Sequence, residues 1–120
     1  MHPLPPASEL QRFVGDAIGQ VWLDPFQTRF IFRGGSSLVA ALRVEHVEPD
    51  GRRRPYDCVA SEGAPLLLHR LLERPIVAVE REELCLTLKF EGGAALRVFS
   101  DLGPYESGQI WTDDRNWTVF

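Results

Sequence analysis

The segment from Leu84 to Phe90 restricts the possible folds of this chain more than any other. Leu84, Leu86, Leu88 and Phe90 alternate without a break with Cys85, Thr87 and Lys89. A period of two sends alternate side chains to opposite faces of a strand, so this stretch belongs to a sheet with one buried face. Gly92-Gly93 follows, a hairpin turn in which glycine supplies positive φ. Leu96 and Val98 then face inward on the returning strand while Arg97 faces out. On the other side, Ile76 to Val79 leads into a tight acidic turn at Glu82-Glu83. Strands joined by links this short pair antiparallel.

The same period recurs upstream. Val21 and Leu23 alternate around Trp22, and Asp24-Pro25 marks a turn. Phe30 and Phe32 alternate with Arg29, Ile31 and Arg33 on the return. After the turn at Gly34-Gly35-Ser36, Leu38 to Val47 reads as one longer strand with Leu38, Ala40, Leu42 and Val44 on one face. Pro49-Asp50-Gly51 has strong turn chemistry, and Pro55 would confine the strand after it, Arg52 to Ala60, to a sheet edge. Gln109 to Thr112 and Asn116 to Phe120 are read as two final short strands.

Two stretches follow a helical period instead. Ser8 as N-cap, with Leu10, Phe13 and Val14 spaced after it, predicts a short helix over Glu9 to Val14 that Gly15 ends. The main helix is expected over Ser61 to Arg74. Ser61 can cap it, Glu62 complements its N-terminal dipole, and Pro65 fits a first turn. Ala64, Leu68, Leu71 and Leu72 form its apolar stripe, and Pro75 stops it.

The expected fold is therefore α+β. A mainly antiparallel sheet of about seven or eight strands, strongly curved or barrel-like, carries one main helix and a short N-terminal helix. Leu42, Val44, Leu68, Leu71, Leu72, Val77, Val79, Leu86, Leu88, Phe90, Leu96 and Val98 are the expected core. With 120 residues the chain is read as one domain, its first six residues a flexible proline-rich arm.

Composition narrows the function classes. A formal net charge of -4 argues against a nucleic-acid binder, which usually presents a basic face. The apolar run from Ala64 to Leu68 is far too short to span a membrane. Met1 to Pro6 has no apolar core of the kind a secretory signal needs, so a reducing cytoplasm is expected. There Cys58 and Cys85 stay as free thiols.

No chemical motif passes a spacing test. Cys85 sits between Leu84 and Leu86 in the setting of a small packed residue, and Asp57 beside Cys58 would raise a thiol pKa. His46 and Glu48 share a strand face, but C-x-x-C, H-x-x-x-H and H-E-x-x-H spacings are all missing, and no metal or cofactor is expected. Gly34 to Ser37 resembles a phosphate loop only in composition, since it leads into a strand. Arg52-Arg53-Arg54 lies among Glu48, Asp50 and Asp57 and reads as a solvated loop with local ion pairs.

The C-terminal segment is the most distinctive. Tyr105, Trp111, Trp117 and Phe120 lie close together, interspersed with Glu106, Asp113 and Asp114. Aromatic residues with a polar handle are favoured at interfaces. Tyr105, Glu106, Trp111, Asp113 and Trp117 are the candidate partner surface.

The same segment resembles a small uncharacterised bacterial family, a domain of unknown function. In that family a strand L-x-L-x-F is followed by a glycine turn, a second strand and then Tyr-Glu-Ser/Ala-Trp. Leu86, Leu88, Phe90, Gly92, Leu96, Val98, Tyr105, Glu106 and Ser107 carry the likeness, over roughly the last third of the chain, and Gly108 stands where the family has tryptophan. A bacterial source also fits an arginine-rich chain whose only lysine is Lys89. Members are similar in size to immunity proteins that neutralise toxins, but the resemblance implies no activity.

The leading expectation is a non-enzymatic protein-binding module, of immunity type or otherwise. The alternatives are a small enzyme or small-molecule binder with a site on the concave face of the sheet, and a structural homo-oligomer. Self-association as a homodimer through the C-terminal strands is expected because Asn116 to Phe120 has the apolar character of an unblunted edge.

Overall fold

The computed structural model describes residues 3–63, 68–101, 106–112 and 117–120. They form two antiparallel sheets around one core. The first contains β1 (Ile18–Asp24), β2 (Gln27–Phe32) and β3 (Ser37–Ala40), followed by β10 (Gly108–Trp111) and β11 (Trp117–Val119), in that spatial order. The second is built from β4 (Arg43–Val47), β5 (Arg53–Asp57), β6 (Glu62–Gly63), β7 (Ile76–Arg81), β8 (Cys85–Phe90) and β9 (Ala95–Phe99). Its order is β6-β5-β4-β9-β8-β7.

The alternation around Leu86 to Val98 places these residues as expected. Leu86 pairs with Val98 and Leu88 with Leu96, and all four are fully buried. Phe30, Leu38 and Ile110 oppose them from the first sheet within the same apolar cluster. Leu10, Phe13, Leu68 and Leu71 complete it.

The stretch expected as one strand over Leu38 to Val47 is divided between the sheets. At Ala41-Leu42 the chain leaves the first sheet for the second. There Ala41 N–H donates to Ser107 O and Cys58 N–H donates to Leu42 O, so each sheet takes up the backbone group on its side of the break. Leu42 is consequently only half-buried.

The expected main helix over Ser61–Arg74 is not what these residues form. Ser61 has φ 54, and its hydroxyl donates to Pro25 O instead of capping a helix. Glu62 and Gly63 pair with Asp57 and Tyr56 as β6. Residues 64–67, which include Ala64 and Pro65 of the expected helix, lie outside the described residues. Leu68–Leu71 is a single 3-10 turn, and Glu73 takes φ 65. A spacing of three brings Leu68 and Leu71 to one side of a 3-10 turn as well as of an α-helix, so the stripe could not tell the two apart. Leu72 instead makes a bridge with Ile18 and is half-buried.

The strand count and curvature differ too. Among the described residues eleven strands replace seven or eight, and both sheets are open rather than closed into a barrel. Val77 is exposed because a bulge between Ile76 and Ala78 shifts the alternation of β7 by one residue. The N-terminal helix begins two residues earlier than expected, as a turn at Ala7–Leu10 continued as a 3-10 turn at Gln11–Phe13, so Ser8 lies inside it and no side chain caps it. It covers the edge of β7, where Gln11 Nε2 donates to Val79 O. The arm before it is anchored from Leu4, which is buried, while Arg81 donates to the carbonyls of Leu4 and Pro5.

Candidate functional site

Each strand of the first sheet turns one set of side chains away from the core. The pairings align these sets into two rows. Trp22 lies opposite Arg29, which pairs with Val39, then Gln109, then Val119. Gln20 lies opposite Ile31, which pairs with Ser37, then Trp111, then Trp117. Five strands at the usual spacing make this outer face about 20 Å across.

Its exposed apolar area is concentrated in Trp22 and Trp117, while Val39 and Ser37 at its middle are buried. Trp22 is 50% exposed and Trp117 52% exposed. Trp117 stacks on Trp111 with ring centroids 5.4 Å apart and an interplanar angle of 16°. The Trp111 indole N–H donates to Gln109 Oε1 at 2.8 Å, and Gln109 Nε2 donates to Glu106 Oε1 at 2.9 Å. These hydrogen bonds fix the plane of the Trp111 indole. At the other end Trp22 Nε1 donates to Gln20 Oε1, and the Arg29 guanidinium sits 5.9 Å from the Trp22 ring.

Of the five residues singled out in the sequence, Glu106, Trp111 and Trp117 are thus brought together. Tyr105 and Asp113 lie outside the described residues. Trp22, Arg29 and Ile31 belong to the same face and were not anticipated. The alternation of Trp22 with Val21 and Leu23 places it on the outer side of its strand. Only the pairing of β3 with β10 makes that side continuous with Trp111.

A second polar constellation lies at one end of the other sheet. His46, on β4, pairs with Leu96 and is turned toward the core. Glu48, two residues on, is also buried. Its carboxylate accepts from Arg54 Nε at 3.2 Å and Arg70 Nη1 at 2.7 Å. Arg52 approaches within 3.8 Å. His46 and Glu48, with Pro49, Arg70, Arg74, Gly92 and Ala94, line a cavity of about 360 Å³. His46 Nδ1 has no hydrogen-bond partner there. Burial holds the imidazole pKa below its ordinary value, against the pull of Glu48 and with Arg54, Arg70 and His69 adding to the effect.

The remaining sequence candidates resolve into packing. Cys58 and Cys85 are both buried and free. Burial pushes the Cys58 thiol up, although Thr28 Oγ1 lies 3.7 Å away. His46 and Glu48 do share a face, but Glu48 is committed to arginines. The three consecutive arginines each meet a carboxylate: Arg52 with Asp50, Arg53 with Glu45, and Arg54 with Glu48. Gly34 N–H donates to Asp16 Oδ1 within a turn between strands.

No family model, curated protein or solved structure matches this chain. The glycine at position 108 has a local explanation. A Cβ there would overlap Val39 O and the Phe120 ring, so only glycine fits between these strands.

Proposed function

We propose that this chain is a non-enzymatic protein-binding module that docks a partner protein on the outer face of its first sheet. The observation that carries the reading is the Trp111–Trp117 stack on the same face as Trp22 and Ile31. Interfaces concentrate their energy in a few tryptophan, tyrosine and arginine anchors at the centre of a patch. This face has three tryptophans and Arg29, with two of the indole planes, those of Trp22 and Trp111, already held by hydrogen bonds. Such preorganisation lowers the entropy lost on binding.

A homodimer is the second reading. It is favoured by β11, which ends its sheet and has no further strand beside it among the described residues. An edge of that kind can pair with a second copy about a two-fold axis.

Sedimentation at micromolar concentration separates the two readings. The partner-protein reading expects a monomer of 13.6 kDa that co-purifies with a distinct protein from its native cells. Retention should survive Val59→Ser, a change at an exposed apolar residue in the other sheet's loops, and be lost in Trp117→Ala. A monomer whose co-purification is equally weakened by both changes, or a stable dimer, contradicts it.

A further inference from the structure

We propose that the cavity between His46, Arg70, Arg74 and Gly92 is a binding site for a small organic oxyanion, a molecule bearing a carboxylate or phosphate group. The inference is independent of the protein-binding face, because the cavity lies at the hairpin-turn end of the second sheet.

The charge balance of the cavity points to an anion. Among the described residues that line it, Glu48 is the only carboxylate, and it already accepts from Arg54 and Arg70. Arg74 donates through Nε to Arg70 O at 2.9 Å. Among the described residues its terminal amino groups have no acceptor. Arginine presents a planar fork suited to bidentate contact with carboxylate or phosphate, and one edge of the Arg74 fork is unused.

The second, independent observation is His46. It is 1% exposed, lines the cavity, and its Nδ1 is the one buried side-chain polar atom without a partner among the described residues. An orphan of this kind has given up its hydration with no partner in exchange, so it calls for one. The His46 ring lies in the wall that an oxyanion gripped by Arg74 would meet.

The backbone shapes the floor. Gly92 has φ +97, and a Cβ there would lie only 2.9 Å from Arg74 Nη1. Glycine therefore permits both the turn and the approach of the guanidinium. A cavity of about 360 Å³ falls at the small end of ligand sites. It has room for roughly ten heavy atoms, taking the volume share of a water as the unit.

The test is titration of the full chain with inorganic phosphate, succinate and the uncharged succinamide at physiological ionic strength, read by NMR of the His46 ring and arginine side chains. The expected result is saturable shifts at His46 and Arg74 with phosphate or succinate, below about 10 mM, and none with succinamide. Phosphate alone would assign a phosphate ester, and succinate alone a carboxylate. Arg74→Gln removes an exposed side chain, and it should leave the thermal midpoint in place while weakening binding at least tenfold. His46→Leu provides the second variant and should weaken it similarly. Failure of both anions to saturate the wild-type chain, equal shifts with succinamide, or full affinity in Arg74→Gln would each overturn the proposal.

Discussion

The Trp117 ring lies 5.4 Å from that of Trp111, and Trp111 in turn is held by Gln109. One tryptophan comes from a central strand and the other from the strand that ends the sheet. Their stack fixes the aromatic surface at the end of the sheet farthest from Trp22.

Trp117→Ala should therefore have a modest effect on folding and a large one on binding. The residue is half-exposed, and the stack contributes about 0.5–1.5 kcal/mol beyond area burial. Denaturant unfolding should show a loss of about 2 kcal/mol, the stack together with the half-buried area. A loss above about 3 kcal/mol would place Trp117 in the core instead.

Leu88→Ala and Val77→Ala should behave oppositely, although both lie in strands whose sequence alternates. Leu88 is fully buried, and truncation should cost about 2–5 kcal/mol. Val77 is 54% exposed after the bulge, and its truncation should stay within about 0.5 kcal/mol. Similar costs at both positions would mean that β7 lacks the bulge.

This contrast shows what was legible in the sequence. The pairing of β8 with β9, the inward set Leu86, Leu88, Leu96 and Val98, and the turn at Gly92 followed from alternation and turn chemistry. The bulge at Ile76/Ala78 was not legible, because one extra residue leaves composition unchanged while reversing the faces before it. The helix over Ser61–Arg74 was misread because its strongest signals, a serine cap and leucines three apart, also fit a turn and a 3-10 segment. Trp111 and Trp117 could be singled out as aromatic residues near the end of the chain. Their union with Trp22 depends on pairing between residues about seventy positions apart, and local pattern does not reveal such pairing. The Glu48–Arg70 pair has the same character, because its partners lie 22 positions apart on different elements.

Stability should fall on mild acidification. His46 has a folded pKa below its ordinary value of 6.5, chiefly through burial. The unfolded chain then binds a proton that the folded chain refuses, so stability is present above 6.5 and is lost as pH falls from there toward the folded pKa. Glu48, Arg54, Arg70 and His69 face the ring and remain in place in both measurements. Chemical denaturation between pH 7 and pH 5 should show a shallower decline in His46→Leu than in the wild type. Parallel declines would assign the effect to other groups.

The thiols should be silent in the native state. Cys58 is fully buried with a raised pKa, and Cys85 is 3% exposed. Reaction with a thiol reagent at neutral pH should be slow until denaturant is added, and then two groups should titrate without reductant. Two fast-reacting thiols in the native protein would contradict the burial of both residues.

The central claim is that the outer face of the first sheet receives a partner protein. Site-specific photo-crosslinking in the native cells tests it most directly, with p-benzoylphenylalanine placed at Trp22, Ile31 or Trp117 and, as controls, at Val59 or Leu84. These controls are exposed apolar positions away from that face. The account predicts one discrete adduct, with the same second protein, from all three face positions and none from the controls. Adducts only with a second copy of the chain, adducts equally frequent at the controls, or no adduct at the face would contradict it.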